Sequence, residues 1–193
     1  AERLLHARFV APHTEEGRVT AAVFEDKTGR RAVRARYFID ASGDGDLVAR
    51  AGLPTYKRPR MQPPTMCALV QGVEELARRN PAFTLNKALF NPERAEALKP
   101  GFLWRRMPPR AHDATMIAGT RVFGADCSDA DQLTAAEIEG RRQVRRMVDL
   151  LREAGAGSES VALLGMSSVI GIRETRHVRA LHSLTQEELL SGT

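Results

Sequence analysis

One stretch, residues 37–52, constrains the fold of this chain more than any other. It opens on an apolar run of aromatic and β-branched residues, which predicts a buried strand. Gly43 and Gly45 break the run, and the chain resumes as a short helix over 47–51 that Gly52 closes. A strand that turns through glycines into a helix brings bare backbone close to a ligand. In α/β proteins that ligand is often a nucleotide phosphate or ribose, because N–H groups at a helix start attract anions.

Composition limits the partners of the chain. Its 193 residues are 42% hydrophobic and 27% charged, which suits one large domain or two small ones around a core. No apolar run approaches membrane-spanning length, so we expect no membrane partner. The net charge of +5 comes from scattered arginines, and scattered charge does not predict nucleic-acid binding.

Cysteine usage and the first residue suggest the setting of the chain. Cys67 and Cys127 lie far apart and form no C-x-x-C motif, which is typical of reduced, structural thiols in a cytoplasmic protein. The chain begins with Ala1 and enters a strand almost at once. We therefore expect an internal piece of a longer protein.

The N-terminal third predicts an antiparallel meander. Apolar and alternating segments over 4–10, 19–25 and 32–41 predict three strands, and polar turns over 13–17 and 26–30 join them. The third strand delivers the chain to the glycine-containing turn.

A basic, proline-rich loop over 57–64 predicts a domain crossing, so we expect domains over 1–53 and 54–193. The second domain carries short helical pieces between 74 and 100, where prolines interrupt the pattern. Its apolar runs predict further strands over 65–73, 102–107, 115–118, 161–164 and 167–172.

The clearest helix runs over 135–154. Thr134 and Glu137 have the spacing of a capping box at its start. Gly140 lies on the helix's apolar stripe, which predicts close packing there because glycine otherwise costs a helix about 1 kcal/mol. The apolar face is predicted to consist of Val144, Met147, Val148 and Leu151, while arginines on the other faces predict a solvated surface with paired charges.

Three segments in one order carry a resemblance to a known family. They are residues 38–46 (FIDASGDGD), 133–142 (LTAAEIEGRR) and 170–176 (IGIRETR). With them the chain resembles the FAD-dependent oxidoreductases built on the glutathione-reductase-type flavin-binding fold. The resemblance implies an α+β flavoprotein fragment: an antiparallel β-meander leading into part of an FAD-binding sheet, and a mixed-sheet substrate domain with flanking helices.

The same resemblance implies roles for particular residues. Arg173 and Arg176 are implied to be catalytic, facing the flavin or substrate cleft, where arginine stabilises negative charge on reduced flavin or holds a substrate carboxylate. The substrate is implied to be a small molecule. The residues implied to lie at the FAD are Asp40, Ala41, Ser42, Gly43, Asp44 and Gly45.

The chain also departs from such a family. It contains no G-x-G-x-x-G and no acidic residue about 20 positions later to bind the adenosine ribose. In such a family both belong upstream of Ala1. We therefore predict that this chain alone does not retain FAD tightly and is inactive. An incomplete sheet would leave apolar edges, which favour self-association as a homo-oligomer.

Other interpretations of the turn stay open. Asp40, Ser42 and Asp44 match the first positions of an EF-hand loop, although Ala51 stands where a glutamate ligand is required. The three aspartates of residues 40–46 could hold magnesium, although no P-loop lysine accompanies them. The simplest interpretation makes Asp44 the N-cap of the following helix. The alternative function is a non-enzymatic binding module whose arginine-rich surface docks an anionic partner.

Overall fold

The computed structural model describes residues 2–94, 96–108, 113–155 and 160–192. Within these ranges helices and strands are interspersed along the whole chain. In chain order the elements are β1 (Arg8–Glu15), β2 (Arg18–Asp26), β3 (Gly29–Arg34), α1 (Asp46–Arg50), β4 (Thr55–Tyr56), β5 (Ala68–Gln71), α2 (Val73–Arg79), α3 (Leu85–Leu89), β6 (Trp104–Arg106), β7 (Ala114–Ala118), α4 (Ala130–Ala154), β8 (Ala162–Met166), β9 (His177–Val178) and α5 (Gln186–Ser191).

Compactness divides the chain into two units. The first comprises residues 1–59 and 176–193, and the second comprises residues 60–175. The chain therefore leaves the first unit, forms the second, and returns. This division reflects packing density, and the functional division into 1–53 and 54–193 stays a prediction.

The first unit contains the predicted meander. Strands β1, β2 and β3 pair in that order, and both pairs are antiparallel, which confirms the prediction. The β1–β2 turn is shorter than predicted because β1 continues to Glu15. Glu16 and Gly17 form this turn with φ values of 47° and 76°, the backbone that a two-residue hairpin requires.

The third strand is shorter than the sequence predicts. Strand β3 ends at Arg34, so the predicted strand over 32–41 is wrong beyond that residue. Residues 35–41 pair with no other strand of the described chain. Tyr37 and Ile39, which the apolar run predicted to be buried, are 87% and 88% exposed. An apolar run predicts a strand only where a neighbouring strand accepts its hydrogen bonds, and the sequence does not show whether one is present.

The second unit is built on a four-stranded sheet. Its strand order is β6-β7-β5-β8, and each neighbouring pair is antiparallel. The predicted α+β class is confirmed, but the predicted mixed sheet is wrong for the described strands. Apolar runs predict that strands exist, whereas strand direction depends on how the connections return the chain to the sheet.

Helix α4 supplies much of the core of the second unit. Its predicted apolar face is confirmed, since Val144, Met147, Val148 and Leu151 are all buried. The close packing at Gly140 is also confirmed. A Cβ atom on this glycine would lie 3.0 Å from Ile170 Cδ1 and 3.2 Å from Met66 Cβ. These contacts place α4 against residues that flank the sheet.

The start of α4 differs from the prediction. The helix begins five residues earlier, at Ala130, and Asp129 is its N-cap, accepting a hydrogen bond from the Gln132 amide at 2.9 Å. The predicted capping box of Thr134 and Glu137 is therefore wrong. The Thr134 hydroxyl lies inside the helix and donates to the Ala130 carbonyl at 2.8 Å. Two acceptable caps occurred in one stretch, and periodicity alone did not choose between them.

Two further strand predictions differ from the structure. Within 65–73, strand β5 covers Ala68–Gln71. The predicted strand over 167–172 is wrong, because in the described chain this segment forms only an isolated bridge, between Gly171 and Thr65, and a backbone hydrogen bond from Ser167 to Cys67. Strand pairing here depends on partners far away in the sequence.

Three further features concern the last helix, the cysteines and the length of the helices. Thr185 and Glu188 form a reciprocal capping box at the start of α5, with the three-residue spacing that this motif requires. Cys67 and Cys127 form no disulfide. No helix in the described part of the chain combines the length and the hydrophobicity needed to cross a lipid bilayer.

Candidate functional site

The candidate site is the turn over residues 40–46, in the first unit. Gly43 and Gly45 both have left-handed backbone, with φ values of 84° and 63°. Helix α1 begins directly after Gly45. The sharp reversal of the chain therefore depends on two glycines, because other residues adopt this backbone only with strain.

The Asp40 side chain organises the turn from inside. Its Oδ1 atom accepts hydrogen bonds from the Ser42 amide at 3.0 Å and from the Ser42 hydroxyl at 2.6 Å. Its Oδ2 atom accepts from the Val48 amide, in the first turn of α1, at 3.1 Å. Asp40 thus caps a helix that begins six residues later in the chain.

The predicted N-cap is therefore wrong. The residue at the N-cap position of α1 is Gly45, and no side chain at that position bonds the helix. Asp44 lies one residue before the N-cap position, which Gly45 occupies with a left-handed backbone. The sequence pattern could have suggested Asp40, since an aspartate followed two residues later by serine is typical of a side-chain turn.

These contacts change the acidity of Asp40. Partial burial raises the pKa of its carboxyl group. The hydrogen bonds from Ser42, Val48 and Leu47 outweigh that effect and hold the pKa below the ordinary aspartate value. Asp40 is consequently a carboxylate at neutral pH, and both of its oxygens accept hydrogen bonds that stabilise the turn.

Arg176 reaches the same turn from the other end of the first unit. Its Nη1 atom donates to the Asp44 carbonyl at 3.1 Å and to Asp46 Oδ1 at 2.9 Å. The Arg176 side chain is only 19% exposed. The pairing of β4 with β9 positions it, because β9 begins at the next residue. The structure therefore brings together Asp40, Asp44 and Arg176.

The other predicted arginine is Arg173. Arg173 belongs to the second unit and is exposed. Within the described residues it makes no hydrogen bond or ion pair. Its neighbour Glu174 accepts a hydrogen bond from the Gln62 amide at 2.8 Å, which anchors the segment. Arg173 thus projects from an anchored segment with its donor groups available.

The start of α1 leaves little room for a phosphate. Its amides are already used: Asp46 donates to the Ser42 hydroxyl at 3.2 Å, and Leu47 and Val48 donate to Asp40. This arrangement differs from the phosphate-binding helix start that the sequence suggested.

The backbone before α1 is more accessible. Ala41, Ser42 and Gly43 are exposed, and a Cβ atom on Gly43 would meet nothing within 4 Å. The residues present therefore fit a cofactor that passes alongside the main chain, and they do not fit a cofactor whose phosphate is gripped by helix amides.

An aromatic pocket lies beside the turn, also within the first unit. Its volume is about 430 Å³, and its lining includes Phe9, Phe24 and Phe38 together with Asp40. Phe9 and Phe24 contact edge to face, with ring centroids 5.9 Å apart. Sequence reasoning missed this pocket, because these rings come from three separate segments of the chain.

Arg50 is a further residue that the sequence did not single out. Its guanidinium lies 6.0 Å from the centre of the Phe9 ring, and it donates a hydrogen bond to the Val10 carbonyl. These contacts join helix α1 to strand β1 and so support the wall of the aromatic pocket. From the sequence, an arginine in the last turn of a helix indicates only a favourable interaction with the helix dipole, and it does not indicate a contact with a distant ring.

The metal interpretations of the turn find no support. In the described ranges, no group of three or more histidine, cysteine, aspartate or glutamate side chains is placed to hold a metal ion. Asp40 and Asp46 instead make hydrogen bonds to other parts of the turn and to Arg176.

Comparison with known proteins identifies the family. A family model described as FAD dependent oxidoreductase matches residues 1–193. No curated protein and no solved structure matches the chain significantly. The family match supports the oxidoreductase and FAD parts of the resemblance found in the sequence, while the glutathione-reductase-type fold stays a prediction. It gives no support to the alternative of a non-enzymatic binding module.

Proposed function

Since the chain belongs to the family of FAD-dependent oxidoreductases, we propose that it provides part of a flavin site and a substrate-binding part to such an enzyme. The observation that carries this proposal is the family match over the whole chain. FAD, when bound, supplies the electron-transfer chemistry, and the protein orients it. In this proposal residues 1–53 contribute to the flavin site and residues 54–193 contribute to substrate binding.

The turn over 40–46 is the proposed cofactor contact. Its exposed backbone at Ala41, Ser42 and Gly43 is open to solvent and is held rigid by Asp40 and Arg176. A preorganised backbone binds a ligand without an ordering cost at the moment of binding. Because the amides of α1 are occupied, we expect this turn by itself to hold FAD only weakly.

The two arginines have different proposed roles. Arg173 has available donors, and a guanidinium can hold a carboxylate or stabilise negative charge on the cofactor through paired hydrogen bonds. Arg176 directs its Nη1 donor at Asp44 and Asp46, so we propose that it positions the turn. A catalytic role for either residue stays a prediction.

Titration with FAD under NMR observation tests the cofactor contact. We expect excess FAD to shift the amide resonances of residues 40–46 more than those of the rest of the first unit. Ala41→Phe should reduce these shifts, because it adds bulk at an exposed position where the backbone must approach the cofactor. Ala32→Phe is the matched control, since Ala32 is equally an exposed alanine of the first unit but lies in β3.

Two results would count against the proposal. One is a set of FAD-induced shifts that avoids residues 40–46. The other is an equal effect of the two phenylalanine variants. A yellow preparation that keeps its flavin through gel filtration would contradict the expectation of weak retention and would leave the contact itself standing.

A further inference from the structure

A charged groove runs along helix α4 in the second unit. Its volume is about 650 Å³, and it is bounded by α4, by residues 96–99 and by residues 121–123. We call it the arginine groove. Five of its lining side chains are cationic and three are acidic: Lys99, Arg121, Arg142, Arg145 and Arg146 against Glu96, Glu139 and Asp149.

Each acidic side chain of the groove already has a cationic partner. Nitrogen–oxygen distances in these ion pairs range from 2.8 to 3.6 Å. The pairs are Glu139 with Arg142, Glu96 with Arg146, and Asp149 with Arg152. Lys99, Arg121 and Arg145 remain. In the described part of the chain, none of these three has a carboxylate within ion-pair distance. Lys99 is near enough to Glu139 to help lower the pKa of that carboxyl group, but Glu139 is already paired with Arg142. The groove therefore carries more positive than negative charge.

Of the three cations, Arg121 is the one whose backbone and side chain are both held by neighbouring residues. Its main chain is clamped by Gln143, whose Oε1 accepts from the Arg121 amide at 2.8 Å and whose Nε2 donates to the Arg121 carbonyl at 3.0 Å. Its guanidinium lies 5.9 Å from the centre of the Phe90 ring. It also packs on Gly101, where a Cβ atom would come within 2.5 Å of Arg121 Cζ. The backbone of Arg121 is thus held by Gln143, and its guanidinium packs against Phe90 and Gly101.

The environment of Arg121 is costly for an unpaired cation. Partial burial lowers the pKa of its guanidinium. The protein bonds that it makes through Nη1, to the Lys99 and Gly119 carbonyls, are long at 3.5 and 3.4 Å. Arg121 is thus a partly buried cation with weak carbonyl contacts and no carboxylate partner, and charges of this kind are frequent at binding sites.

Lys99 and Phe123 complete the other wall. The Lys99 ammonium lies 5.3 Å from the centre of the Phe123 ring, and Phe123 is 51% exposed. This wall offers a positive charge next to apolar surface. It suits a ligand that carries anionic groups on a small carbon or phosphate framework.

We propose that the arginine groove binds a small polyanion with two or more carboxylate or phosphate groups, held by Arg121, Lys99 and Arg145. The concave shape and the volume of the groove favour a small molecule over a macromolecular surface. The other arginines of the groove are paired with acids, so the site is local and is not a general basic face. The proposal does not depend on the flavin role of the first unit, because all of its residues lie in the second.

Isothermal titration calorimetry of the chain with pyrophosphate and with citrate, at constant ionic strength, tests the proposal. We expect saturable binding at one site for at least one of the two probes. Pyrophosphate binding alone identifies a phosphate ligand, and citrate binding alone identifies a carboxylate ligand. Arg121→Gln should weaken binding about tenfold, the size of effect expected for one charge-assisted hydrogen bond.

Matched variants separate this site from surface charge. Gly101→Ala keeps every charge, but its added Cβ atom would displace the Arg121 guanidinium from its present position. This variant should therefore also weaken binding. Arg145→Gln changes an exposed residue and provides the same test if Arg121→Gln does not fold. Arg78→Gln removes a charge of the same unit from α2, outside the groove, and should leave affinity unchanged.

The proposal is overturned if neither probe binds at constant ionic strength. It is equally overturned if Arg78→Gln weakens binding as much as Arg121→Gln and Arg145→Gln do, because the effect would then follow net charge and not the groove.

Discussion

Replacing Asp40 with asparagine tests whether this carboxylate holds the candidate flavin-contacting turn. The substitution preserves size and keeps one acceptor oxygen, but it removes the charge and one of two acceptors. The oxygens bond Ser42 and Val48 at 2.6–3.1 Å. The loss therefore affects both the turn and the first turn of helix α1.

The magnitude follows from the contacts. Removing a helix cap costs about 0.5–2 kcal/mol, and a hydrogen bond to a charged group contributes about 1.5–3 kcal/mol. Asp40 is partly solvated, so water replaces some of the lost interaction. The expected loss is therefore closer to the helix-cap value than to the value for a hydrogen bond to a buried charge. We expect the free energy of unfolding to fall by about 1–2 kcal/mol, which corresponds to about 2–8 °C in the melting temperature of a chain of 193 residues.

Two measurements follow the change. Thermal unfolding monitored by circular dichroism gives the global effect, and hydrogen exchange of the Val48 amide gives the local one. Asp26→Asn is the matched control. Asp26 makes the same two-residue turn, bonding the Thr28 amide at 2.8 Å and the Thr28 hydroxyl at 2.6 Å, but it caps no helix. It should leave Val48 exchange unchanged.

The pH dependence has a definite sign. The pKa of Asp40 is lower in the folded chain than its ordinary value of 3.8. The carboxylate therefore contributes its full stabilisation above the unfolded pKa, and that stabilisation is lost as the pH falls through the lower folded pKa. The stability difference between the wild type and Asp40→Asn should shrink under these acidic conditions. Equal Val48 exchange in the two proteins at neutral pH would refute the capping role.

Three further predictions concern the second unit and the C-terminal helix. Gly140→Ala should lower stability by about 1 kcal/mol in urea unfolding, since overpacking against Met66 and Ile170 outweighs the gain in helix propensity; a more stable variant would contradict the close packing. Glu137→Gln should speed exchange of the Ile170 amide, which donates to Glu137 at 2.6 Å, and should cost about 1–2 kcal/mol; unchanged exchange would count against that bond. Thr185→Ala should remove about 1 kcal/mol of local helix stability, visible as faster exchange in α5 with the core transition unchanged.

Much of the fold followed from local patterns. The meander was predictable because its strands are short, neighbouring in sequence and joined by turns of fitting length. The buried face of α4 was predictable because its apolar residues repeat with the helical period. Both signals arise within a few residues, where sequence spacing and spatial proximity coincide.

The misplaced caps at Thr134 and Asp44 were choices between nearby residues, whereas the larger errors come from dependence on distant partners. The predicted third strand ends at Arg34 because no described strand pairs with residues 35–41. The sheet of the second unit is antiparallel because of how its connections return the chain. Glu137 was assigned to a capping box, yet it accepts from Ile170, which lies 33 residues away. None of these partners is visible in a local pattern.

The candidate site divides in the same way. Gly43 and Gly45, read from the sequence alone, determined that the chain reverses there, because few other residues adopt left-handed backbone without strain. Only the tertiary structure decided what holds that reversal. It brings Arg176 to Asp46 across 130 residues of sequence, and it turns Asp40 inward to cap a helix. Backbone conformational freedom is a property of each residue, whereas a hydrogen bond between distant residues exists only once the chain has folded.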